Sequence, residues 1–228
     1  MGELDIDTIP ILTGSHRTRD DGVCAMELVA WMAGEPHSDS PACTCPVLAA
    51  FVRSWNDGIA DDEARARLLR PHLPRLIGTR STPEIEERRA WLATDWLVRV
   101  CAPAFLTLTP SLREHAEILS GLPPVLSRKS ARSAQDMLAA ARDAAWAAAR
   151  DAARDAARAA ARDAAWAAAR DAARDAARAA AGDAAWAAAW DAAGAAARDA
   201  AGDALAETVA TQQSSATDLL DRMIEVSP

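Results

Sequence analysis

ARDAAWAAARDAARDAARAA occupies residues 141–160, and the same twenty residues return unchanged at 161–180, with a degraded third copy beginning at Ala181. Inside each block runs a finer period. Positions 146, 150, 154, 158, 162 and 166 are Trp, Arg, Arg, Arg, Arg and Trp, each followed by Asp or Ala and then by two alanines. The unit is (Trp/Arg)-(Asp/Ala)-Ala-Ala, and a repeat of this kind decides the architecture before any other feature is read.

Alanine has the highest helix propensity and arginine is close behind, and the tract far exceeds the roughly 12 to 15 residues at which isolated helices become marginal. Asp151 with Arg154, Asp155 with Arg158, Asp171 with Arg174 and Asp175 with Arg178 are acid-then-base pairs three residues apart, each worth about 0.2 to 0.5 kcal/mol. The expectation is one long alanine-rich helix from about Ser130 to about Ala204, roughly 110 Å if unbroken at about 1.5 Å per residue. Gly182, Gly194 and Gly202 each cost about 1 kcal/mol relative to alanine, so bending falls in the third copy.

Four residues advance about 400°, so the Arg/Trp stripe drifts about 40° per unit and circles the helix in about 36 residues. A partner tracking it would need a pitch near 54 Å, far below the roughly 140 to 210 Å of two-stranded coils. Trp166 lies about 200° from Trp146 and Trp186 about 40° from it, so no single tryptophan face exists. Identical copies are also what recent duplication of GC-rich DNA leaves behind. The tract reads first as a spacer or rod, next as an alanine-mediated packing surface, and last as a ligand surface. Ice binding lacks support, because it calls for a threonine face and the repeat contains no threonine.

Outward from the repeat, the first 125 or so residues are long enough to close a core. The apolar run VCAMELVAWMAG, Val23 to Gly34, reads as a buried helix stopped by Gly34, followed by a loop from Glu35 to Cys45. Thr44, Cys45 and Pro46 supply a cap and a proline start for VLAAFVRSW, ending at Asn56-Asp57-Gly58. Asp61 or Asp62 opens a short helix through Leu69, and Pro71 and Pro74 flank a turn. Thr82 and Pro83, followed by Glu84, Glu86 and Glu87, form the clearest helix start, and Pro103 is expected to end that helix. Thr109-Pro110 opens another, closed by Gly121, Pro123 and Pro124. No stretch alternates as a half-buried strand would. The expected class is all-α, with a helical domain at 1–125, an alanine-rich repeat helix at 126–204 and an amphipathic helix at 205–228. In the last, Leu205, Val209, Leu219, Leu220, Met223 and Ile224 form an apolar face for packing or docking.

The net charge is −8, with Lys plus Arg against Asp plus Glu at 14 to 18 through Lys129 and 11 to 15 after it. Neither half has the basic excess that phosphate backbones demand, which argues against nucleic acid. Residues 1–10 lack a signal-peptide pattern, Ile6 stands where myristoylation wants Ser or Thr, and Arg or Asp interrupts every alanine run, which argues against a membrane. The expected setting is the cytoplasm, with Cys24, Cys43, Cys45 and Cys101 reduced.

Chemistry-bearing residues cluster only in the front domain, at His16, Cys24, Glu27, His37, Asp39, Cys43 and Cys45. Cys24 and Glu27 are three apart on the first helix, hence on one face, and Glu27 is the sole charge in its apolar run. Cys24, Glu27, His37 and Cys43 are therefore the candidate ligands of a zinc ion. The spacing is a poor match to structural zinc motifs, and His-Ser-Asp followed by Pro-Ala-Cys-Thr-Cys excludes the nucleobase deaminases. The alternative gives Cys24 a packing role, Glu27 an arginine partner such as Arg53 or Arg99, and His37 a solvated loop position. P-loop, GxGxxG, GxSxG and HExxH motifs are absent.

The segments VCAMELVAWMAGEPHSDSPACTCPVLAAFVRSWND at 23–57 and ERRAWLATDWLV at 87–98 resemble a family of uncharacterised proteins from high-GC actinobacteria and their phages. In these, a similar front domain precedes an Ala/Trp/Arg/Asp-rich tail of differing length. The resemblance implies a two-part architecture and no activity. The leading functional expectation is a non-enzymatic interaction or scaffold protein without a cofactor, acting through a protein partner or self-association. The rival is a zinc-dependent enzyme or sensor in the front domain.

Overall fold

The computed structural model describes residues 8–137, 139–148, 150–151 and 205–227. The described residues are helical or irregular, with no strand among them, as the all-α expectation requires. No helix among them is long and apolar enough to cross a membrane. The two identical repeat blocks and the third copy lie largely outside the described residues. Of the expected alanine-rich helix, residues 128–137, 139–148 and 150–151 are helical.

The chain divides into two compact units. The first comprises residues 1–100, 123–132 and 211–228. It contains α1 (Ala25–Met32), α2 (Pro46–Gly58), α3 (Asp62–Leu69), the one-turn α4 (Leu73–Leu76) and α5 (Pro83–Trp96). The second comprises residues 101–122 and 133–210, with α6 (Ala102–Leu106) packed on α7 (Arg113–Ser120). Residues 128–137, 139–148 and 150–151 supply α8, and residues 205–224 supply α9, of which positions 211 onward belong to the first unit.

Each helix start follows from local chemistry. Cys24 caps α1, accepting from the Glu27 N–H at 3.4 Å while the Glu27 carboxylate takes the Cys24 N–H at 2.8 Å, the reciprocal arrangement of a capping box. Gly34 turns the chain out of the helix at φ +71, a conformation that costs glycine little. Pro46 and Pro83 occupy first-turn positions in α2 and α5, where a missing N–H leaves nothing unpaired. Asp61 caps α3 by accepting from Ala64 N at 2.7 Å.

Three prolines act differently from expectation. Pro103 does not end α5. The helix widens into a π turn at Leu97–Cys101 and continues as α6, with Pro103 in the first turn of that new segment, where no intrahelical donor is required. Pro71 and Pro74 likewise sit in the first turns of a 3-10 segment at Arg70–His72 and of α4, rather than flanking a bare turn.

The core of the first unit is filled by Ile11 of the N-terminal strap, Met26 and Leu28 of α1, Leu48 of α2, and Leu69, Leu73 and Leu76, all fully buried. Leu219, Leu220 and Met223 of α9 complete the same cluster. Polar contacts hold this tail in place. The buried Arg89 guanidinium donates to the carbonyls of Met223 (2.9 Å), Val226 (3.1 Å) and Thr79 (2.6 Å). Arg88 reaches Ser227 O at 3.1 Å, and the Trp96 indole donates to Ser215 Oγ at 2.7 Å. Arg75 pairs with the Asp221 carboxylate. A helix leaves its last carbonyls unpaired, and Arg89 satisfies one of those, at Met223, together with the Val226 carbonyl just past the end of α9.

A second buried arginine fastens the opposite side. Arg65, 1 % exposed, donates to Asn56 O (2.8 Å), Ile11 O (3.1 Å), Ile59 O and the Asp62 carboxylate. It thereby ties the N-terminal strap, the end of α2 and the start of α3 together.

Leu220→Ala should destabilise the first unit by about 2 to 5 kcal/mol, the range for a buried leucine truncation. Arg89→Met, which keeps the apolar stem and strands three carbonyls, should cost about 1 to 3 kcal/mol. Both are read from the denaturant midpoint at constant slope. A chain ending at Ala210 should lose cooperative unfolding of the first unit altogether.

Candidate functional site

The apolar run of α1 buries one carboxylate. Glu27 is 1 % exposed, and an ion in that position must be hydrogen-bonded. It takes three hydrogen bonds. Oε1 accepts the His16 N–H at 2.6 Å, and Oε2 accepts from His16 Nδ1 at 2.8 Å and from Cys24 N at 2.8 Å. His37 Nε2 lies 3.6 Å from Oε1 and donates to His16 O at 3.0 Å. Facing a carboxylate, His16 Nδ1 carries the proton. Burial alone would raise the Glu27 pKa, but the His16 and Cys24 backbone donors and the His16 ring outweigh it and hold the carboxyl below its ordinary value of 4.5.

The sequence reading gave Glu27 an arginine partner, and the structure gives it histidines and main-chain donors instead. Arg53 is occupied elsewhere, donating to Asp39 O and Ser40 Oγ at 2.8 Å each. Arg99 pairs with Asp95, whose carboxylate also takes the Val125 N–H at 2.7 Å. His37 is not a solvated loop residue, because its ring is folded under the loop against the main chain at His16.

Of the four candidate ligands, the structure brings Cys24, Glu27 and His37 into one neighbourhood. Cys43 stands apart from their hydrogen bonds. Its N–H donates to the Glu35 carboxylate at 2.8 Å, as does that of Ala42 at 2.6 Å, and its sulfur lies 3.7 Å from Thr44 Oγ1. Among the described residues no three of His, Cys, Asp and Glu converge as ligands of one ion. The Cys24 thiol is pushed up to about 12, chiefly by burial. It is therefore neutral at physiological pH, and neutral thiols are poor nucleophiles.

Beside this knot lies a polar cavity of about 270 Å³, lined by Gly14, Ser15, Cys24, Asp39, Arg53, Ser54, Asn56 and Asp57. Its floor is fixed by Asn56, fully buried, which accepts from Ala25 N (3.2 Å) and donates to Leu12 O and Asp57 Oδ1 (2.9 Å each). The Gly14 N–H and the Asn56 amide hold the Asp57 carboxyl below the usual carboxylate range. The polar groups nearest Cys24 and Glu27 are thus committed to fastening the 8–23 strap and the 35–45 loop onto α1. Sequence reasoning missed His16 as the principal partner and Asn56 as the floor. The one available signal was the Cys-x-x-Glu spacing, which reads as a capping box as readily as a ligand pair.

Glu27→Gln should cost about 1.5 to 3 kcal/mol at pH 7, the worth of hydrogen bonds to a charged group. Because the folded-state pKa of Glu27 is depressed, its contribution is fully present above pH 4.5 and is lost as pH falls through the lower folded value. The stability difference between wild type and Glu27→Gln, measured by urea unfolding from pH 7 to pH 3, should accordingly shrink only below pH 4.5. A difference that is constant across that range would show that the carboxylate charge contributes nothing.

Compared with protein-family models, with curated proteins and with solved structures, the chain matches none.

Proposed function

We propose that this chain is a non-enzymatic interaction or scaffold protein, in which the alanine-rich tract forms a long helical arm with a four-residue repeat and serves as a self-association surface. One observation carries the reading. Leu219, Leu220 and Met223, which follow the tract in sequence, are buried in the core of the unit that precedes it. A tract that leaves one folded body and returns to it cannot set the distance between two bodies, so the spacer role loses its ground and the surface role keeps its own.

The exposed aromatic on the described part of the arm adds support. Trp146 is 65 % exposed, and a large aromatic side chain held in solvent on a helix is a ready contact residue. Alanine faces permit helices to approach closely over short lengths. The acidic balance of both halves, set against nucleic acid as partner, points the same way. A cytoplasmic setting with reduced thiols belongs to this reading. The rival zinc reading requires Cys43 to join Cys24, Glu27 and His37, and requires Glu27 to give up hydrogen bonds from His16 and Cys24.

Light scattering on the full chain should give a mass above the 24.1 kDa of one copy, rising with concentration. Replacing residues 133–210 by a flexible linker of about twenty Gly and Ser residues, which spans roughly 25 Å, should leave the first unit cooperatively folded and strictly monomeric. A full chain that stays monomeric at high micromolar concentration would overturn the proposal.

A further inference from the structure

We propose that the polar cavity at the last turn of α2 binds a free α-amino acid with a small polar side chain, its carboxylate on Arg53 and its ammonium on Asp57. The cavity is lined entirely by residues of the first unit, so this site goes beyond the self-association reading and does not depend on it. Arg53 and Asp57 stand four residues apart on α2, and both line the cavity. Opposite charges at that spacing are neighbours on a helix surface, with Cβ atoms about 5 to 6 Å apart, and ordinarily pair. Here no ion pair joins them among the described residues. Arg53 is drawn to the 35–45 loop, where Nη1 donates to Asp39 O and Ser40 Oγ at 2.8 Å each. Asp57 is drawn to the N-terminal strap, where Oδ1 accepts from Gly14 N at 2.8 Å. A cation and an anion are thus fastened to different segments, and the cavity lies against both.

What each group leaves unused is what a zwitterion requires. A guanidinium has five N–H donors, and among the described residues Arg53 Nη2 makes no hydrogen bond, while Nε stands 3.9 Å from Asp39 Oδ2, too far for one. A ligand carboxylate therefore finds a free, charged donor there. Every hydrogen bond that Asp57 accepts falls on Oδ1, from Thr13, Gly14 and Asn56, and Oδ2 takes none among the described residues. Those donors also keep Asp57 ionised at neutral pH. The negative end of the α2 dipole lies at the same turn and favours an ammonium beside Asp57. Ser15 and Ser54 bring two hydroxyls to the lining, each able to donate or accept, which suits a hydroxyl or amide side chain on the ligand. An anion alone would meet Asp39 and Asp57, and a cation alone would meet Arg53. Only a ligand carrying both signs engages both free groups. At about 270 Å³ the cavity falls just below the roughly 300 to 1,000 Å³ of sites for drug-sized ligands, as a molecule the size of serine or asparagine requires.

Titration calorimetry on the full chain, with glycine, L-serine and L-asparagine as probes, should give a dissociation constant below about 1 mM for at least one of them. Two analogues of serine separate its charges. Ethanolamine keeps the ammonium and the hydroxyl, and 3-hydroxypropionate keeps the carboxylate and the hydroxyl. Each forfeits a hydrogen bond between charged groups and should bind at least about tenfold more weakly than the amino acid. Asp57→Asn, which keeps an oxygen for Gly14 and Thr13, should weaken the amino acid by about tenfold or more. Should that variant fail to unfold cooperatively, Ser54→Gln gives the same answer, because a longer side chain at this exposed position of the lining fills the cavity. Three probes without saturable binding overturn the proposal. So does either analogue binding as tightly as serine, since one charge would then suffice. Unchanged affinity in a folded Asp57→Asn or Ser54→Gln chain places the ligand elsewhere and overturns it too.

Discussion

The seating of α9 in the first unit is the contact on which the remaining architecture depends. Apolar burial supplies the attraction, and burying a leucine-sized side chain is worth about 1.5 to 3 kcal/mol, here at Leu219, Leu220 and Met223. Attraction alone would bury the carbonyls at the end of the helix without partners. Arg89 removes that obstacle by donating to Met223 O and Val226 O from α5 while its third donor holds Thr79 O. The first unit is thereby built from both ends of the chain.

The same device recurs. Arg65 reads carbonyls of the N-terminal strap and of the α2–α3 connection, Arg70 donates to Ile9 O at 2.7 Å, and Arg53 holds Asp39 O. A guanidinium carries five donors in a fixed planar fork, so one side chain can satisfy several main-chain acceptors arriving from separate segments. With a single lysine in 228 residues, the fold relies on arginine for this work. Each site pairs an apolar stem that packs with a head that closes loops, so truncation is costly on both counts.

Much of the fold was legible because it is written locally. The proline starts of α2 and α5, the Asp61 cap and the stop at Gly34 are short-range chemistry, and each appears where the sequence places it. The apolar face of the terminal segment was legible too, as a packing element, though what it packs against is a long-range fact that periodicity does not carry. The candidate site was less legible for the same reason. Cys24 and Glu27 do act together, but as the two halves of a helix cap. The group that engages Glu27 most fully, His16, comes from eleven residues upstream with no motif to mark it. Pro103 misled because a π turn restarts the helix register, and nothing in LVRVC signals that widening.

Building one unit from distant segments also has a cost in time. Residues 1–100 are made first, while the side chains that complete their core lie at positions 219, 220 and 223. At the roughly 5 to 20 residues per second of synthesis, the intervening stretch takes on the order of 6 to 25 s to emerge. Throughout that interval Leu28, Leu48, Leu73 and Leu76 lack the side chains that complete their cluster.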